Sequence, residues 1–213
     1  LGDQIYADAT AGVVDSDNPL ERYTPRYAAA LARGRRHVLG GRREALGDLL
    51  AALPVYLTQD DHEYRDGWPG SGPIEAGRAQ GRTRERRIVQ LANAAATAFQ
   101  RLHMPATWPG ATSYAFHHGP LRCFVLDTRS HRQVSPQRIV HPDDWVRLRE
   151  WLADPEAATH LNCIATGSVV LPRLEPGCNP ADPGEDTMAW CEPDRRGLLR
   201  LLAEAGGAAQ PRR

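Results

Sequence analysis

The sequence of 213 residues predicts an α/β domain, and three observations carry that reading. Short apolar runs such as Leu53-Pro54-Val55-Tyr56-Leu57-Thr58 and Leu121-Arg122-Cys123-Phe124-Val125-Leu126 read as buried strands that end in polar loops. Helical stripes of apolar residues alternate with these runs, the pattern of a layered α/β domain. Two polar stretches, LGDQIYAD at 1–8 and LTQDDHEYRDGWPG at 57–70, place oxygen-bearing side chains on what read as loops after strands. In open α/β sheets those loops converge on one crevice.

Taken in order, the opening stretch passes into a polar turn. Thr24 and Pro25 then read as the N-cap and first residue of a short helix with Tyr27 and Leu31 on one face, ending near Gly34. A second helix is expected from about Arg42 to Leu53, with Leu46, Leu49, Leu50 and Leu53 on one stripe. After the Asp60-Asp61-His62-Glu63 loop comes GSGPIEAG, then a long helix from about Arg78 to His103. Its inward positions are Ile88, Leu91, Ala92, Ala95, Phe99 and Leu102, and Arg82 to Arg87 read as its solvated first turns. Ser113 to His117 and Leu121 to Asp127 form an expected β-hairpin, turning at His118-Gly119-Pro120. In that hairpin His117 and His118 read as a strand residue and a turn residue, with metal ligation as the less favoured alternative. A helix over Asp143 to Ala153 turns Trp145, Leu148 and Leu152 inward, with Asp143 or Asp144 near its cap, and Leu161 to Ser168 is a further strand. Ser168 lacks the G-x-S-x-G setting of a nucleophile elbow. Pro172 to Pro193 reads as a long irregular loop suited to a rim or lid. Asp194 is expected to cap a final helix carrying Leu198, Leu199, Leu201 and Leu202.

Composition narrows the function classes. The 26 basic and 26 acidic residues balance, so electrostatics favour neither nucleic acid nor an anionic membrane as partner. Every basic residue is Arg, as expected from coding bias. No apolar run approaches the roughly 20 residues that cross a bilayer. None of the four cysteines is spaced C-x-x-C. Cys123 and Cys163 lie in apolar runs and read as buried small hydrophobes, whereas Cys178 and Cys191 flank a loop and could pair in an exported protein.

Two local readings stay open on the residues alone. Asp3 is either a turn residue or a metal ligand, and Asp60-Asp61-His62-Glu63 is either an acidic helix start or ligand-bearing. Arg129, at a strand end, either grips a phosphate oxygen or pairs with Asp127 to hold the loop.

Three segments together resemble the PhoD-type alkaline phosphatases, a branch of the metallophosphoesterase superfamily related to purple acid phosphatases. GDQIYAD resembles the family's GD-x-x-Y, QDDHEYRDGWP its DDHE-x-x-D-N-W-P, and FVLDTRSHR at 124–132 its L-D-T-R-S-x-R. They occur in family order, with Gly67 where the family often has Asn. The resemblance implies an α/β/β/α metallophosphatase sandwich. It also implies ligand motifs upstream of Gly2 and beyond the helix ending near Gly206, so residues 1–213 are expected to be the middle portion of a larger domain. By the same resemblance the protein is a hydrolase of small-molecule phosphate esters or diesters that uses two or more metal ions and a metal-bound hydroxide. Two cations about 3.5–4 Å apart serve such chemistry. The resemblance casts Asp3 as the bridging carboxylate and Tyr6 as a phenolate ligand suited to Fe(III). Asp61 is cast as a ligand favouring hard cations such as Ca²⁺, with Zn or Mn as other candidates. His62 becomes the outer-sphere acid for the leaving oxygen, Glu63 the residue that orients His62 or a neighbouring loop, and Arg129 a substrate-binding residue. The resemblance is compatible with a periplasmic or secreted location; the residues themselves assign none. The alternative reading is a truncated, non-catalytic remnant that folds or binds a partner without turnover.

Overall fold

The computed structural model describes residues 5, 7, 22–32, 46–64, 68, 79–134, 136–171 and 187–208. It divides into two compact units, 1–104 and 105–213.

The first unit holds helices α1 (Thr24–Leu31), α2 (Leu46–Ala52) and α3 (Ala79–Phe99), with the polar loop at 60–63 between α2 and α3 in the chain. Helix α1 starts one residue earlier than the sequence suggests. Its N-cap is Tyr23, without a side-chain cap bond, because proline's missing N–H suits either of the first helical positions. The leucine stripe expected on α2 is not buried throughout, since Leu49 and Leu53 are more than half exposed. The apolar run at 53–58 forms neither helix nor strand and joins no ladder among the described residues. Helix α3 ends at Phe99 and continues as a 3₁₀ turn over Arg101–His103, which throws Leu102 outward. The core of this unit is Ile5, Ala7, Tyr23, Tyr27, Tyr64, Trp68 and Ala92. Tyr27 stacks on Phe99 at 4.9 Å between ring centroids, and Tyr64 on Trp68 at 5.5 Å.

The second unit is built on a three-stranded sheet. Strands β1 (Tyr114–His118) and β2 (Leu121–Leu126) are antiparallel, and β5 (Leu161–Thr166) lies parallel to β2. The β1–β2 hairpin turns in two residues, with Gly119 at φ 57° where a left-handed residue matches the strand twist. His118 is therefore the last residue of β1, not a turn residue. A short antiparallel pair, β3 (Gln133–Val134) and β4 (Gln137–Arg138), follows β2. Helices α4 (Pro142–Ala153) and α5 (Glu192–Ala208) complete the unit. Helix α4 is capped by the His141 ring, which accepts the Asp143 N–H at 3.3 Å; the aspartates near its start are not the cap. Asp194 does not cap α5 either. It sits in the first turn, and its carboxylate accepts the N–H groups of Ile139 and Val140 at 2.6 and 3.0 Å.

Alternation along β2 sends Phe124 and Leu126 into a core with Ile139, Val140, Leu148, Trp151, Met188 and Leu198. Phe124 is fully buried between Trp108 and Trp151, with ring centroids 5.2 and 5.7 Å away. Phe124→Ala should cost about 3–5 kcal/mol through lost contact and the cavity it leaves. Leu161→Ala, at a residue 70% exposed, should stay within about 0.5 kcal/mol. Urea unfolding of the two variants checks both values.

Candidate functional site

The loop at 60–63 is a single 3₁₀ turn, Asp61–Glu63, closed by a reciprocal capping box. Asp60 accepts the Asp61 N–H at 3.0 Å, and Glu63 reaches back to the Asp60 N–H at 2.7 Å. The acidic helix start foreseen from sequence is present, with the capping side chains supplied by Asp60 and Glu63 and not by Asp61. Asp61 is 5% exposed.

Two residues of the opening motif, Ile5 and Ala7, are bonded to this turn. Ala7 donates its N–H to the His62 carbonyl at 2.9 Å, and Ile5 donates to the Glu63 carboxylate at 3.4 Å. Glu63 thus orients a neighbouring loop, as expected. Tyr64 fixes the far end: its hydroxyl donates to Asn93 of α3 at 3.0 Å, and Arg22 donates to its carbonyl at 2.9 Å. Asp3 and Tyr6 fall outside the described residues. Of the ligands foreseen, the described residues place Asp61, with His62 in the same turn.

In the second unit, β2 ends in Asp127-Thr128-Arg129-Ser130. The buried Asp127 carboxylate accepts the N–H groups of Arg129 and Ser130 at 2.8 and 2.9 Å. Arg129 itself is 1% exposed, so the loop-holding role considered for Asp127 is met through backbone N–H groups. Behind it, Ser113 accepts the Asp127 N–H at 3.0 Å and donates to Asp144 at 2.8 Å, while Arg147 holds Asp144 at 2.6 Å.

Sequence reading missed the hydroxyl cluster beside this loop. At the carboxyl ends of the parallel strands, Thr166 and Ser168 donate to the Thr128 hydroxyl at 3.2 and 2.9 Å. Arg132 donates to Ser168 at 3.0 Å and lies 5.1 Å from the centre of the Trp190 ring. Ser168 is 2% exposed and is bonded to an arginine and a threonine, not to a base, in keeping with its poor standing as a nucleophile. The available signal was positional: small hydroxyl residues follow both parallel strands. His117 lies 3.9 Å from Glu156 and packs edge-on to His160.

Among the described residues, no group of three His, Cys, Asp or Glu is gathered closely enough to hold a metal ion. Asp61 fits such a role in chemistry, being a buried oxygen donor not used in the cap. The remaining donors foreseen from sequence, Asp3 and Tyr6, belong to the stretch whose residues 5 and 7 are bonded to this turn.

These features define a mixed α/β protein that keeps its acidic, imidazole and hydroxyl side chains on a tight turn and on loops after parallel strands. The family model described as PhoD-like phosphatase matches residues 1–161, and the chain belongs to that family. At family level it is a metal-dependent phosphoric ester hydrolase. No curated protein and no solved structure matches the chain.

Burial alone would raise the pKa of Asp127, but hydrogen bonds from the Ser130 hydroxyl and from the N–H groups of Arg129 and Ser130 outweigh it and hold the carboxyl below its usual range. A carboxyl depressed in the folded state stabilises above its unfolded value, about 3.9. That contribution is lost as pH falls through the lower folded value. Asp127→Ala should therefore lower stability at neutral pH by roughly 3 kcal/mol. Asp127→Asn should flatten the stability change below about pH 4. Urea midpoints measured between neutral and acid pH test both.

Proposed function

We propose that this chain supplies part of the catalytic domain of a metal-dependent phosphomonoesterase or phosphodiesterase, on a metallophosphatase-type α/β/β/α sandwich. The observation that supports this reading is the Ala7 N–H to His62 carbonyl bond at 2.9 Å, which joins a residue of the GDQIYAD motif to the Asp60-Asp61-His62-Glu63 turn. Residues nearly sixty positions apart are joined there. Asp61 would hold a cation together with Asp3 and Tyr6, an all-oxygen donor set suited to hard ions such as Fe(III) and Ca²⁺. When bound, a pair of such cations neutralises substrate charge and activates water.

The protein's own side chains then have separable tasks. His62 protonates the leaving oxygen, held in place because its carbonyl is bonded to Ala7 and its turn is closed by the Asp60–Glu63 box. Glu63 keeps the opening motif in register with the turn through the Ile5 N–H. Arg129 binds a phosphate oxygen, on a loop whose backbone Asp127 fixes.

Substitution separates these roles in the longest protein that carries this chain. His62→Ala should retain metal and lower kcat by about 10²–10⁴-fold, the usual cost of losing a general acid. Asp61→Ala should lose metal. Elemental analysis after dialysis, with kinetics on a chromogenic phosphate monoester and diester, provides the readout. Metal loss in His62→Ala with retention in Asp61→Ala would reverse the assignment. Absence of stoichiometric metal in the unsubstituted protein would favour a non-catalytic remnant.

A further inference from the structure

Two thiols occupy neighbouring positions in one row of the sheet. Cys123 on β2 pairs in register with Cys163 on β5, with Phe116 of β1 opposite Cys123 on the other side. Partners in register project to the same face. Adjacent strands run about 4.7–4.9 Å apart, inside the roughly 4.4–6.8 Å Cα window of a disulfide. Both cysteines are free thiols, Cys123 buried and Cys163 exposed. The exposure of Cys163 corrects the sequence expectation of two buried hydrophobes. It follows from the position of β5 at the sheet edge among the described strands.

We propose that Cys123 and Cys163 form a reversible dithiol–disulfide site that reacts with small-molecule disulfides, with Cys163 as the attacking sulfur and Cys123 as the resolving one. The Cys163 thiolate attacks one sulfur of glutathione disulfide, which breaks its S–S bond and releases one glutathione thiolate. Cys123, once deprotonated, attacks the Cys163 sulfur of the mixed disulfide and expels the second glutathione thiolate. Two protein thiols are oxidised, one disulfide is reduced to two thiols, and the two protons pass to the departing thiolates.

The order of attack follows from access and protonation. The oxidant meets Cys163 at the surface. Burial and the adjacent Cys163, with a hydrogen bond between the two sulfurs, push the Cys123 thiol up to about 11. Once Cys163 is in the mixed disulfide, its charge no longer opposes Cys123 ionisation. Exchange rates depend on access, and here access directs the first step to Cys163. The closed bond would tie β2 to β5 just before the strand ends that carry Thr128, Arg129, Thr166 and Ser168.

Trypsin makes the test direct, because Cys123 lies in fragment 123–129, Cys163 in 150–173, and Cys178 and Cys191 together in 174–195. Reduced, desalted protein is incubated with excess glutathione disulfide at mildly alkaline pH, then denatured for thiol counting and mapped by mass spectrometry. Two of the four thiols should be lost, with fragments 123–129 and 150–173 joined by a bond that dithiothreitol cleaves. In Cys123→Ser, glutathione should remain on Cys163. The site is overturned if the unsubstituted protein keeps all its thiols, if glutathione stays on Cys163 without the cross-link, or if the link runs through 174–195. Failure of Cys123→Ser to retain glutathione on Cys163 would equally overturn it.

Discussion

A buried backbone N–H must find an acceptor, and at three polar loops among the described residues a carboxylate accepts two of them. Glu63 takes the N–H groups of Asp60 and Ile5, Asp127 those of Arg129 and Ser130, and Asp194 those of Ile139 and Val140. Charge-assisted bonds of this kind are roughly twice as strong as neutral ones. They fix loop backbones that no sheet ladder or helix holds. Had Glu63 been an alanine, the 61–63 turn and the opening motif would each lose an acceptor, and the two stretches would lose the side chain that bonds both.

The alternation of helix and strand was legible because periodicity reports burial of a face. It succeeded for β2 and α4, whose apolar positions meet around Phe124 and Leu148, and in part for β5 and α5, which bring Ile164, Leu198 and Leu201 to that core but leave Leu161 and Leu202 exposed. It failed where a stripe has no partner surface in the described structure. Leu49, Leu53 and Leu102 have the spacing of inward residues and stand exposed. The run at 53–58 has the composition of a strand, but ladder formation depends on a second strand whose position no local pattern encodes. Cap assignments failed for a related reason. Asp194 has the residue type of a cap, yet its carboxylate reaches the backbone of residues 139 and 140, more than fifty positions away.

Of the candidate site, the sequence showed which loops matter more clearly than what each residue does there. The Asp60-Asp61-His62-Glu63 stretch holds two kinds of acid, and only coordinates separate them. The side chains of Asp60 and Glu63 close the turn, whereas Asp61 gives it only a backbone N–H. Asp127 and Arg129 were singled out as a pair, but the carboxylate binds the arginine's backbone N–H. The cluster of Thr128, Thr166, Ser168 and Arg132 was not foreseen, because such residues are common and their meeting comes from the parallel β2–β5 register that aligns Leu126 with Thr166.

That register has a consequence for how the second unit could serve phosphate chemistry. Loops following parallel strands emerge side by side, and here their short polar side chains bond to one another through Thr128. Thr166, Ser168 and Arg132 are held by one another, and the Asp127 turn is held through Ser113 and Asp144. A loop tied in this way needs little reordering when a ligand arrives, so less binding energy is lost to fixing it. Positioning of a charged oxygen depends on supporting residues whose own rotamers are locked. The Asp127 network fixes in advance the backbone of the loop at 127–130, by the same carboxylate-to-backbone device through which Glu63 holds the Ile5 N–H in the first unit.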